Sequence, residues 1–390
     1  MKSIENIENI ENKSVILRLD LNVPIKNGKI MDTSRIDKII PTINFLVKKK
    51  AKIIIISHVG RPNGRIVKEL SLEPVLMCIK DIIKKEVSFL KEDIFKLDKK
   101  DIFKNSDDKL VLLENIRFYA EEEANDEKFS QKLASLGEIY VNDAFSCSHR
   151  DHASVSKITK YIPSYSGIQI NTEVNALNKI TSKIKKPVTC IIGGSKISSK
   201  INIIKNLIPK FNSIIIVGAM ANNIFKYQGL NIGASMHEEN IDSIIEEIFS
   251  YAESNKCKIH FPKDVKVGKK LNDISIEKEL IEIESDDMIL DVGSKTLAEI
   301  KKIIDNSSTI LWNGPLGYFE NENFSFGSKE VAKYIANKGD KIFSVVGGGD
   351  TVAVINSINI NNKFNFVSTA GGAFLEYLEG KVLPGIKALN

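Results

Sequence analysis

Short segments that are apolar from end to end recur along this chain. The first half contains "SVILRLDLNV", "AKIIIIS", "KLVLLENIRF" and "EIYVNDAF"; the second contains "VTCIIGGSK", "SIIIVGAMANN", "STILWNGP", "KIFSVVGGGD" and "FNFVSTAGG". A strand with one face in water alternates apolar and polar residues, whereas a strand buried on both faces reads as a continuous Ile/Val run. Longer amphipathic stretches separate these runs, as helices do when they cover both faces of a parallel sheet. The expected fold is α/β, with two doubly wound parallel-sheet (Rossmann-like) domains joined by an interdomain helix and hinge.

A length of 390 residues accommodates two domains. The stretch "QINTEVNALNKITSKIKKP" is an amphipathic helix closed by Lys-Lys-Pro, and the chemistry of the strand ends changes across it. The expected boundaries are therefore 1–170 for the first domain, 171–187 for the linking helix and 188–380 for the second domain.

Composition mainly excludes. The net charge of +5 rests on lysines scattered among glutamates and asparagines, with no basic tail or stripe to draw nucleic acid. Cys78, Cys147, Cys190 and Cys257 lie far apart without a C-x-x-C pair, which argues against a zinc site or a disulfide framework and fits a reducing cytoplasm. The opening "MKSIENIENIENK" is interrupted by acidic residues, and no signal-peptide core follows it. No apolar run approaches the length of a membrane span. A soluble, intracellular protein without nucleic-acid or membrane partners is expected.

Ligands of open parallel sheets bind at the carboxyl ends of strands, so function is read there. In the first half those ends carry Arg18, Asp20 and Asn22; Ser57, His58 and Arg61; Arg117; and Asn142, Asp143, His149, Arg150 and His152, with Arg35 after the first strand. One arginine is ordinarily a surface ion pair. Arginine and histidine at successive strand ends describe a pocket for a small polyanion, because guanidinium groups pair with phosphate and carboxylate through two hydrogen bonds.

In the second half the ends are glycines: Gly193 and Gly194 before Lys196, then Gly218, Gly314, Gly347 to Gly349, and Gly371 and Gly372. A tight strand-to-helix turn accounts for any one of them. Their recurrence suits nucleotide phosphates, which bind bare N–H groups at helix N-termini. Asp350, directly after three glycines, is placed to hold a metal. No P-loop, dinucleotide fingerprint or protein-kinase signature is present. Phosphoryl transfer to a small acid is the reaction these two sets of residues suggest.

The stretches "RLDLNVP", "SHVGRP", "LLENIRF", "YVNDAFSCSHRDHAS", "IIGGSKISSKI", "WNGPLGYFE", "VVGGGDT" and "STAGGAFLEYLEGKVLPG" follow one another through both halves, and in them the chain resembles the phosphoglycerate kinase family from end to end. The resemblance implies that Asp20, Asn22, Arg35, His58, Arg61, Arg117 and Arg150 bind 3-phosphoglycerate. It implies that magnesium-ATP or magnesium-ADP binds the second half: Lys196 and Lys200 at the phosphates, Asn313 along the phosphate chain and Glu320 at the ribose. Gly218, Gly347, Gly348, Gly349 and Thr351 would belong to the same nucleotide site, and Asp350 would meet Mg2+. Residues 381–390 would return to the first domain. The chain departs from the family pattern at Ser199, where an acidic residue is usual, and at Val217, Ser294, Ala370, Phe374 and the pair Ser146 and Cys147.

A carboxylate is already ionised at pH 7 and needs no general base to attack phosphorus. Catalysis would come from positioning and charge neutralisation by Arg35, Lys196, magnesium and N–H groups near Gly371 and Gly372. His149 and His152 are then structural or anion-contacting. The rivals are a nucleotide-binding scaffold that kept the fold but lost turnover, and a dinucleotide dehydrogenase, which would need a glycine fingerprint the chain lacks. Acid and nucleotide on different domains would require hinges near Gln169–Pro187 and Lys381–Asn390 to bring the reacting atoms together.

Overall fold

The structure, a computed structural model, describes residues 1–26, 28–104 and 109–390. The chain forms two compact units, Met1–Asn175 with Val382–Asn390, and Ala176–Lys381. The division falls inside the helix Ile168–Thr181.

In the first unit the apolar runs become a sheet of six parallel strands. From edge to edge they are Ser88–Leu90, Leu110–Leu113, Lys52–Ile56, Ser14–Arg18, Ile139–Asn142 and Ser164–Ser166. The pleat sends successive side chains to opposite faces. Ile53 and Ile55 accordingly join one core cluster, with Val15, Leu17, Leu112 and Val141. Ile54 and Ile56 join the other, with Ile16, Val111, Leu113 and Tyr140. Burying each isoleucine contributes about 1.5–3 kcal/mol, more than the ~1 kcal/mol span of strand propensity. Burial on two faces therefore sets this run's structure.

The second unit repeats the plan with parallel strands Lys258–His260, Ser213–Ile216, Val188–Ile192, Thr309–Asn313, Phe343–Gly347 and Phe366–Ser368. It also carries an antiparallel sheet of Asp264–Gly268, Ile276–Glu279 and Met288–Val292. That sheet and the outer strands at 88, 164 and 258 are absent from the apolar runs read above. The outer three are three residues each and only partly buried, so they show no continuous apolar signal. Among the described residues no helix is long and apolar enough to cross a membrane.

Both large sheets reverse direction of growth beside their first strand. In the first unit, Ser14–Arg18 lies between Lys52–Ile56 and Ile139–Asn142; in the second, Val188–Ile192 lies between Ser213–Ile216 and Thr309–Asn313. At such a point the loops after the two central strands leave in opposite directions and open a crevice at the carboxyl ends.

Candidate functional site

In the first unit the loops after Ser14–Arg18, Lys52–Ile56, Leu110–Leu113 and Ile139–Asn142 are cross-linked at their strand ends. Ser57 Oγ donates to Leu19 O at 2.7 Å and accepts from Leu21 N at 3.1 Å. Gly60 N donates to Asn22 Oδ1 at 3.0 Å, and Gly60 O accepts from Arg117 Nη1 at 2.9 Å. Gly60 takes φ +63°, and a Cβ there would come within 2.6 Å of Leu70 Cδ2, so glycine permits this crossing point. Asn22, Arg117 and the His58–Arg61 loop are thereby held as one assembly, with Arg61 exposed at its rim.

Arg35 stands in the first turn of the helix Ser34–Lys48, where the helix dipole disfavours a cation by about 0.3–1 kcal/mol. Asp20 offsets this: Arg35 Nη1 lies 3.0 Å from Asp20 Oδ1 and 2.9 Å from Oδ2.

His58 is buried, and burial together with Arg18, Arg117, His152 and Arg150 holds its pKa well below the usual range. Arg18 Nη2 lies 3.0 Å from His58 Nδ1. A guanidinium can only donate, so Nδ1 accepts and the neutral ring carries its proton on Nε2. Arg18 is itself fixed by Ser154 Oγ at 3.0 Å from its Nε. Ser154 Oγ donates to Glu122 Oε1 at 2.6 Å, and Ser154 N donates to Oε2 at 2.8 Å. Burial raises the Glu122 pKa, while Arg18 and Ser154 oppose the shift. His152 is pushed down to about 4, first by burial and then by Arg117, Arg150 and Arg18, so it too is neutral near pH 7. The set offers permanent guanidinium charges and neutral imidazoles, which bind anions without serving as proton reservoirs.

In the second unit the glycines permit close backbone approach. A Cβ on Gly193 would lie 2.1 Å from Pro315 O, and one on Gly314, at φ +110°, would lie 2.2 Å from Gly193 O. Into this junction reaches Lys200, whose Nζ donates to Gly193 O and Asn313 Oδ1, both at 2.7 Å. Asn313 Nδ2 donates to Gly347 O at 2.7 Å, and Gly314 N donates to Thr351 Oγ1 at 2.6 Å. Lys200, Asn313, Gly347 and Thr351 thus form one hydrogen-bonded group. Burial lowers the Lys200 pKa to about 8, against the pull of Cys190 and Asp350.

Three helices begin around this group. Gly218 (φ +67°) precedes Ala219–Tyr227, Gly348 (φ +96°) precedes Gly349–Ser357, and Gly371 (φ +53°) precedes Gly372–Leu378. Gly347 pairs with Ser368 on the neighbouring strand, which sets the Gly371–Gly372 turn beside Gly347–Gly349. Added Cβ atoms on Gly349 and Gly371 would meet nothing within 4 Å. These two glycines therefore face open space, unlike Gly193 and Gly314. Asp350, Lys196 and Glu320 are exposed, and of the three it is Asp350 whose charge acts on Lys200.

The departures at 199, 217, 294 and 374 have local accommodations. Ser199 Oγ donates to Lys196 O at 2.8 Å, and a carboxylate reaches this turn from Glu238, which accepts from Ser198 N at 3.1 Å and from the Ser198 hydroxyl. Val217 is fully buried beside Ile191 and Ile215. Phe374 packs its ring where a Cβ on Gly347 would otherwise fit. The Ser294 hydroxyl bonds the Glu277 carboxylate.

Sequence reading placed Arg18 at a strand end but missed Glu122 and Ser154 behind it, and marked Ser146 only as a departure from the family pattern. Glu122 lies within "AEEEAND", which has the composition of a solvated acidic turn, yet it is fully buried. Nothing local marks it.

A family model described as phosphoglycerate kinase matches residues 4–381. The phosphoglycerate kinases of Wolbachia pipientis wMel and of Wolbachia sp. subsp. Brugia malayi are 45% and 44% identical, over 100% of this chain and 98% and 99% of their own lengths. The structure of phosphoglycerate kinase from Coxiella burnetii matches with a TM-score of 0.91 at 37% identity, covering 99% of this chain and 98% of that one. The enzyme from Pyrococcus horikoshii OT3 matches with a TM-score of 0.83 at 27% identity, covering 100% and 98%.

Proposed function

This chain belongs to the phosphoglycerate kinase family, and on that premise we propose that its two strand-end clusters divide the reaction between them, 3-phosphoglycerate on the first unit and the nucleotide on the second. The reaction is reversible phosphoryl transfer between ATP and a carboxyl group, that of 3-phosphoglycerate. The observation that carries the division is the chemistry at the two switch points: guanidinium groups and neutral histidines at one, glycine-bounded helix starts around Lys200 at the other.

Arg117 and Arg150, with Asn22 and Arg61, bind the anionic groups of the acid, and His58 donates its Nε2–H to them. Asp20 and Arg35 orient the acid, and the Arg35 guanidinium neutralises charge at the transferring group. Lys196, Lys200 and the N–H groups at Gly349 and Gly371–Gly372 take up phosphate charge. No side chain need move a proton, because the attacking carboxylate is already ionised. An exposed carboxylate in the first turn of a helix is a hard oxygen donor that suits magnesium, and Asp350 is the residue that would hold it. Magnesium supplied with the nucleotide neutralises part of the phosphate charge. Action as a cytoplasmic monomer is part of the same reading, and four free thiols support a reducing compartment.

The direct test is to mix purified protein with magnesium, ATP and 3-phosphoglycerate and follow ADP. Turnover that needs all three is expected; nucleotide binding without turnover would leave only a scaffold.

The depressed Lys200 pKa adds a pH dependence. Below pH about 8 the amine is charged and attracts phosphate, and above it the charge is lost. In the free enzyme kcat/KM for nucleotide should therefore fall on an alkaline limb near pH 8. Lys200→Arg, whose guanidinium stays protonated, should displace that limb upward. An unmoved limb would assign it to another group.

A further inference from the structure

We propose that Ser146 is a positioning residue for the transfer, acting through Asp20 on Arg35. The proposal rests on the placement of the acid substrate at these residues. Ser146 lies in the one-turn helix Phe145–Cys147 that follows strand Ile139–Asn142, and Asp20 lies in the loop after the neighbouring strand Ser14–Arg18. Ser146 Oγ donates to Asp20 Oδ2 at 2.5 Å. The bond spans the crevice at the switch point of the sheet, between two loops that are far apart in sequence.

The geometry at Asp20 shows why this hydroxyl matters. Arg35 Nη1 reaches both carboxylate oxygens at nearly equal distances, 3.0 and 2.9 Å. One nitrogen straddling two oxygens, unlike a two-nitrogen fork, leaves the carboxylate plane free to twist about the N···C line. The backbone N–H of Asn22 touches Oδ1 weakly, at 3.3 Å. The short bond from Ser146 falls on Oδ2 alone, so it makes the two oxygens inequivalent and sets the twist. With Asp20 fixed from the far side of the crevice, the carboxylate that Arg35 Nη1 meets is held in one plane, which restrains the guanidinium on that side. Asp20 is 8% exposed, so water has little access to replace the lost donor. Misplacement of a charge-stabilising group by about 1 Å can cost on the order of a hundredfold in rate; loosening one restraint of several should cost less.

The test is a double-mutant cycle on the full chain. Ser146→Ala should lower kcat about 5- to 20-fold, below that ceiling, with ADP affinity and thermal midpoint close to the parent's. Ser146→Thr, which keeps the hydroxyl, should restore kcat, and this recovery separates positioning from a packing defect. In an Asp20→Ala background, Ser146→Ala should add nothing, because coupled residues are non-additive. Parent-like kcat in Ser146→Ala, or full additivity with Asp20→Ala, overturns the proposal while the placement of the acid site stands. Parent-like activity in Asp20→Ala overturns that placement and the role of Ser146 together.

Discussion

Arg35→Ala is expected to lower turnover by about three orders of magnitude or more, the range seen when an arginine that neutralises a transferring phosphoryl group is removed, while ADP affinity stays close to the parent's. Two features of the fold lead to this expectation. Arg35 occupies the first turn of its helix, where the dipole opposes a cation, so helix stability alone does not account for it. It is nonetheless held at 2.9 Å by Asp20, whose carboxylate is nearly buried at the switch point of the sheet. A residue placed against local electrostatics and then restrained is one whose chemistry is needed there. Removing it also leaves the Asp20 charge uncompensated beside the proposed acid site, so the KM for 3-phosphoglycerate should rise. Arg35→Lys keeps the charge but loses the planar fork, and should recover only part of the loss. Stopped-flow turnover and ADP titration check both halves; loss of ADP binding would put Arg35 in the wrong unit for its assigned role.

Asp350→Asn should weaken magnesium-ADP binding at least about tenfold, a loss that even a group supporting a metal ligand can produce, and leave 3-phosphoglycerate binding almost unchanged. Asp350 is exposed in the first turn of Gly349–Ser357, and its charge is felt by Lys200. The sign of the effect without metal separates this role from a general one. With magnesium chelated, the carboxylate only repels phosphate, so Asp350→Asn should then bind ADP as well as the parent or better. Calorimetric titrations with and without chelator read both numbers. Equal losses for acid and nucleotide, or the same loss without magnesium, would show a folding defect instead of a lost metal ligand.

The Ile/Val runs foretold most of the two parallel sheets because burial on both faces of a strand is a local property. Ile53 to Ile56 alternate between two cores, and every position in the run must be apolar whatever lies beyond its immediate neighbours. The glycine turns were legible for a related reason. Gly193, Gly314 and Gly348 lie where a side chain would strike backbone or Asn313, or where φ is positive, and that restriction shows in residue type. The short strands at 88, 164 and 258 were not legible, since half-buried edges of three residues tolerate mixed composition.

The partners within each site depended on tertiary structure. Arg18 with Ser154 spans 136 residues, Ser146 with Asp20 spans 126, and Lys200 with Asn313 spans 113. Parallel strands are joined by long crossovers, and the switch points set beside the first strand of each unit a strand that arrives only after several intervening elements. Sequence alone therefore determined which side chains stand at strand ends and which turns must be glycine. Strand order decided that a glutamate from an acidic run lies buried behind Arg18, that His58 carries its proton on Nε2, and that a serine hydroxyl meets the carboxylate holding Arg35, because hydrogen bonds depend on which strand ends become neighbours, and no local pattern encodes that.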